Sequence, residues 1–168
     1  MWTDLQPRER TGVLLVGAAV AIAAGLLGGI CGAAAHAASI VIYLFVDPPM
    51  FVRCLGDLEA AYGAGALCGA VAGIAWTTLY AKALLHLRRR SGDSPSIPLS
   101  AGNAVAHAFL AGLLFILLFL AWSLHRGSAI GPLVALVLVL SSALKWLLIG
   151  LVGGAALRLV IHRKAARD

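Results

Sequence analysis

Charge is what this 168-residue chain has least of: acidic and basic side chains together make up 12% of it, about half the usual share for a soluble domain. A soluble fold of this size buries only about two thirds of its surface, and 61% of the residues are hydrophobic. That much apolar area has no place in water. Enzyme signatures are missing as well. The sequence holds no GxSxG, no HExxH and no phosphate-binding loop, so none of the usual nucleophile, zinc or nucleotide sites is announced. Its three cysteines, Cys31, Cys54 and Cys68, form no CxxC pair and no metal spacing. Cys31 and Cys68 sit in apolar runs, where cysteine acts as a small hydrophobe. Long polar stretches are also absent, so no connection has room for a folded domain.

What is present is a series of long apolar runs. About 20 helical residues cross the hydrocarbon core of a bilayer. The sequence predicts an all-α, polytopic membrane protein, a single domain over 1–168 built as a four-helix transmembrane bundle. The expected spans are 12–35, 58–81, 99–124 and 132–157, the last opening with Pro132 at a natural first helical position. Residues 36–46 form an extra apolar segment. The first charge-free run, 11–46, would be about 50 Å long as one helix. It reads as a long tilted or kinked helix with Gly28-Gly29 or Gly32 as its weak point, as a span followed by a short interfacial or re-entrant piece, or as a signal segment cleaved near Ala35-His36-Ala37. Its apolar middle is longer than a signal segment's usual 7–15 residues, about, and cleavage would leave three spans.

The net charge of +6 does not point to nucleic acid. The basic residues flank the apolar runs instead of covering a face, as helix anchors beside anionic lipid do. Arg8 and Arg10 precede the first run. Lys82, Arg88, Arg89 and Arg90 follow the second, and Arg158, Arg163, Lys164 and Arg167 follow the fourth. The other two connections carry only Arg53 and Arg126. Under the positive-inside rule this alternation puts both termini in the cytoplasm, and the expected location is the plasma membrane, the inner membrane if the source is bacterial. The Ser/Pro-rich stretch 91–98 reads as a linker.

Small residues recur at four-residue spacing: Gly65, Gly69 and Gly73 in the second span, Gly25 and Gly29, and also Gly28 and Gly32, in the first, and Gly150 and Gly154 in the fourth. Such rows lie on one helix face and let two backbones approach. The spacing does not distinguish a seam within the chain from a contact between copies. Asp57 and Glu59 point to different faces of a helix and suit its positive N-terminal end better than acid–base work.

The polar residues inside the spans are the candidate functional positions. Lys145 lies about 20 Å along its span from Pro132, near the bilayer centre, where a charge costs at least about 2.5–3.5 kcal/mol. No carboxylate falls at that depth. Either the side chain snorkels outward with help from Ser141, or it meets a partner subunit's carboxylate or a water-filled path. Asn103 and His107 share a face of the third span, a pattern of interhelical hydrogen bonding, with a proton-relay or ligand role as the sharper alternative. A haem between His36 and His125 has only the residue type behind it, so no cofactor is expected. Three roles follow. The first is a structural or accessory subunit of a larger membrane complex. The second is a small oligomeric transporter or channel using Lys145, His107 and Asn103. The third, an enzyme acting on lipid, lacks paired catalytic groups. The expected partners are the bilayer and other membrane subunits or copies of the chain.

Overall fold

The computed structural model describes residues 6–46, 56–91, 97–126 and 132–162. Four helices account for them: α1, Pro7–Val46; α2, Leu58–Ser91; α3, Ile97–His125; and α4, Pro132–His162. All four are long and apolar enough to cross a membrane, so the chain is an all-α, multi-pass membrane protein. Asp47, Arg53, Cys54, the core of the Ser/Pro-rich stretch at 92–96, and Arg163, Lys164 and Arg167 lie outside the described residues.

The starts of the helices follow local chemistry. At α1 the Gln6 backbone N–H donates to Glu9 Oε2 at 2.9 Å, half of a capping box, and Pro7 takes the first helical position, where its missing N–H costs nothing. The Asp57 carbonyl accepts the Ala61 N–H at 2.9 Å, which places two carboxylates, Asp57 and Glu59, at the positive end of α2.

Helix α1 is continuous for 40 residues, so residues 36–46 continue the helix of the first span without a break for a separate re-entrant piece. Neither Gly28-Gly29 nor Gly32 interrupts it. Ile40 and Val41 would suit a strand, but backbone groups in hydrocarbon must bond within their own segment, which enforces a helix. At 1.5 Å per residue α1 is about 60 Å long, twice the core thickness of about 30 Å. It must tilt, project from the bilayer, or both.

The helices form a ring in chain order. Helix α1 packs against α2 and α4, and α3 completes the ring between them, while the diagonal pair α2 and α4 barely touch. Neighbours run antiparallel: Gly28 meets Gly65 while Gly32 meets Ala61, and Gly150 meets Ala108 while Gly154 meets Ala104. The α1–α2 seam is the closest. A Cβ added at Gly28 would strike the Gly65 carbonyl oxygen, and one at Gly69 the Ala24 carbonyl oxygen. Of the two rows in α1, Gly28 and Gly32 face backbone, whereas Gly29 faces the Tyr62 ring and Gly25 meets both the Ala66 carbonyl and the Ala70 methyl.

Trp76, Tyr80, Phe115, Leu138, Trp146 and Leu157 fill the centre and are almost wholly buried. Long aliphatic side chains point the other way: Leu15 is 67% exposed, Leu67 69%, Leu124 68% and Val152 70%. With one such side chain on every helix, the outer surface is apolar all round and is in contact with lipid.

Candidate functional site

Lys145 does not face lipid. Its residue is 4% exposed, and the side chain points into the middle of its own bundle. The ammonium lies 3.3 Å from the centroid of the Phe115 ring on α3 and 5.2 Å from that of Trp146. Cys31 on α1 is buried in the same core, and Cys68 on α2 packs against it. All four helices contribute residues to the core in which this nitrogen lies. Snorkelling, the simpler expectation from the sequence, is replaced by burial, because position 145 lies on the face of α4 that carries Leu138, Ser142, Ile149 and Gly153 inward.

Three polar groups on this face have no hydrogen-bond partner: Lys145 Nζ, Ser142 Oγ and Trp146 Nε1. Ser142 is three residues before Lys145 and Trp146 is four after Ser142, so the three share one turn. Ser141, the serine expected to assist Lys145, instead donates to its own helix at the Leu138 carbonyl, 3.3 Å away. Lysine and indole N–H groups are donors, and serine both donates and accepts. The turn is therefore rich in donors and poor in acceptors. The Phe115 ring offsets part of the burial cost, about 2 kcal/mol for a desolvated cation–π contact, against about 2.5–3.5 kcal/mol for the charge. It cannot satisfy the N–H directions that point away from it. A buried donor left unpaired costs about a further 1–3 kcal/mol.

Compared with protein-family models, curated proteins and solved structures, the chain matches none. Its function has to be read from its own geometry.

Asn103 and His107 lie nearer the terminal, basic end of the bundle and do not meet Lys145. His107 Nδ1 donates to the Asn103 backbone carbonyl at 2.7 Å. This bond stays within α3. The His107 ring is 6.1 Å from the Tyr80 ring, which stacks on Trp76 at 5.3 Å. Trp76 Nε1 donates across to the Ala104 carbonyl at 3.3 Å, joining α2 to α3. This cluster sits two to three turns from Lys145 along α3 and α4, on the basic side. Among the described residues no group of histidine, cysteine and carboxylate side chains is placed to hold a metal.

Sequence reasoning missed two features. One is the donor turn: Ser142, Trp146 and Phe115 are ordinary core residues by type, and only the rotation of α4 relative to α3 reveals them. The other is an ion pair, Arg88 Nη1 to Glu9 Oε1 at 3.2 Å. The same Nη1 donates to the Ile161 carbonyl at 3.3 Å. Arg88 thus ties α2 to the start of α1 and the end of α4, a structural clasp more than a lipid anchor.

Proposed function

We propose that the chain is a small transport protein of the plasma membrane whose central site is the donor-rich turn at Lys145, and that the solute met there is anionic or a strong hydrogen-bond acceptor. The observation that carries this reading is the Lys145 ammonium, buried within its own four helices and without a hydrogen-bond partner. Intramembrane ionisable groups that face a bundle interior mark solute or proton paths. A lone cation flanked by two further donors complements a group that brings acceptors. His107 and Asn103, on the basic side of Lys145, would lie along the route to it.

The accessory-subunit reading loses one of its supports. A partner's carboxylate approaching from lipid would meet leucine and valine, since Lys145 is enclosed by its own chain. It retains the short connections and the contact that copies or other subunits would make with the apolar exterior.

The alternation of basic segments supports both termini facing the cytoplasm. Reporter fusions at each end, one active only inside and one only outside, test that orientation. A C-terminal fusion active outside would refute it. Transport is tested in vesicles holding the purified chain and loaded with labelled chloride, nitrate and a small carboxylate. Efflux above that of empty vesicles, falling at least tenfold in Lys145→Met, is the expected result. Equal efflux from parent and variant would count against the site.

A further inference from the structure

The turn at Lys145 has few donors to offer an anion. Lysine brings three N–H groups, serine one O–H and indole one N–H, about five donors in all. The Phe115 ring, 3.3 Å away, takes up one side of the ammonium. The remaining donors are drawn toward one place. Helical side chains lean toward the helix N-terminus, which brings Nζ back over the turn that carries Ser142. Trp146 rests on Gly112 of α3: a Cβ added there would lie 2.9 Å from Trp146 Cδ1, the carbon bonded to Nε1. Phe115 is three residues along α3 from Gly112, on the same face. The N–H edge of the indole and the ammonium therefore lie against the same stretch of α3.

Charge is as sparse as donors. Among the described residues the other lysines and arginines lie toward the ends of the helices, and the next on α4, Arg158, is about 20 Å further along. The surroundings are polarisable and poor in hydrogen-bonding groups. Phe115 stacks on Phe119 at 6.2 Å, the Trp146 ring centroid is 5.2 Å from the ammonium, and the Cys31 thiol lies in the same core. Rings and thiols make weak hydrogen bonds at best. Ser142 and Trp146 are buried as completely as Lys145, so an ion that reaches this turn leaves its water behind.

The energy an ion loses on leaving water rises with the square of its charge, so a dianion loses about four times what a monoanion of equal size does. Among monoanions the loss is greatest for compact ions and least for large, diffuse ones. One ammonium and a handful of donors return little of it. We infer, on the reading of Lys145 as a solute site, that the turn selects small monovalent anions that hold water weakly. Nitrate, iodide and thiocyanate are of this kind. Chloride and fluoride are disfavoured in that order, and sulfate and phosphate are excluded. The Ser142 hydroxyl matters most to the ions that need the most hydrogen bonding.

The test measures efflux of thiocyanate, nitrate, chloride, fluoride and sulfate from phosphatidylcholine vesicles holding the purified full chain, less the rate from empty vesicles. Thiocyanate and nitrate should exceed chloride by about tenfold, chloride should exceed fluoride, and sulfate should match empty vesicles. Ser142→Ala should lower chloride about tenfold, the worth of one hydrogen bond to a charged group, and nitrate less than about threefold. Chloride or fluoride at or above nitrate, or sulfate above empty vesicles, would overturn the selectivity and leave the transport reading standing. So would a folded Ser142→Ala variant that lowers every anion alike or none. If no anion leaves faster from the parent than from Lys145→Met, the transport reading fails and the selectivity falls with it. If Ser142→Ala does not fold, the ion series of the parent decides alone.

Discussion

Adding one methyl group at Gly69 measures how much the bundle depends on the α1–α2 seam. In Gly69→Ala the new Cβ would fall against the Ala24 carbonyl oxygen, with the Gly28 Cα at 3.2 Å. Both obstacles are backbone, so no rotamer change relieves the clash. An ordinary carbon–oxygen contact is about 3.3–3.6 Å, and α1 and α2 would have to part by on the order of 1 Å. A gap of that size forfeits about a quarter to a half of each contact's attraction, and overpacking of this kind costs about 1–3 kcal/mol. The upper end applies here because the seam is backbone on both sides. Gly63 provides the control: it is on the same helix, and a Cβ there would meet nothing within 4 Å. Any gain in helix propensity from glycine to alanine, about 1 kcal/mol, is common to both variants and cancels in their difference. The assay is reversible unfolding of the purified chain in mixed micelles by increasing SDS fraction, followed by far-ultraviolet circular dichroism. Gly63→Ala should match or exceed the parent, and Gly69→Ala should fall about 2–3 kcal/mol below it. Two alanine variants of equal stability would refute the claim that this seam holds the helices together.

Other perturbations address the polar interior. Lys145→Met removes an insertion cost of about 2.5–3.5 kcal/mol and an unpaired buried donor costing about 1–3 kcal/mol, and loses a cation–π contact of about 2 kcal/mol, so the same unfolding assay should show a gain of about 1.5–4.5 kcal/mol; a loss would mean the ammonium has a strong partner. A double-mutant cycle with Arg88→Gln and Glu9→Gln should give a coupling of about 0.5–1 kcal/mol, since Arg88 is 28% exposed and solvent screens part of the attraction; a coupling near zero would mean the clasp is only the Arg88 bond to the Ile161 carbonyl.

Much of the architecture was legible because lipid leaves few choices. A run of apolar residues in hydrocarbon has to be helical, so helix number and approximate bounds followed from length alone. Helix ends were less so. The second helix runs ten residues past its expected end at 81, because Lys82-Ala83-Leu84-Leu85 are good helix formers whether or not lipid surrounds them. Glycine spacing gave candidate faces without partners: Gly28 and Gly65 were visible, their meeting was not, since pairing depends on which helices neighbour each other in the ring. Lys145 shows the same limit. Its depth was readable from the distance to Pro132. Its direction was not, because nearly every position on α4 is apolar and no amphipathic stripe marks the inner face.

The central claim is that an aqueous path inside this chain's own bundle leads to Lys145. The most direct measurement uses Cys68, half-buried against the core that encloses that lysine. In a Cys31→Ala, Cys54→Ala background reconstituted in vesicles, Cys68 is exposed to two membrane-impermeant thiol reagents of similar size, one anionic and one cationic. The account predicts that the anionic reagent labels Cys68 at least several-fold faster, and that this preference disappears in Lys145→Met. Labelling by neither reagent, or at equal rates by both with Lys145 in place, would contradict it.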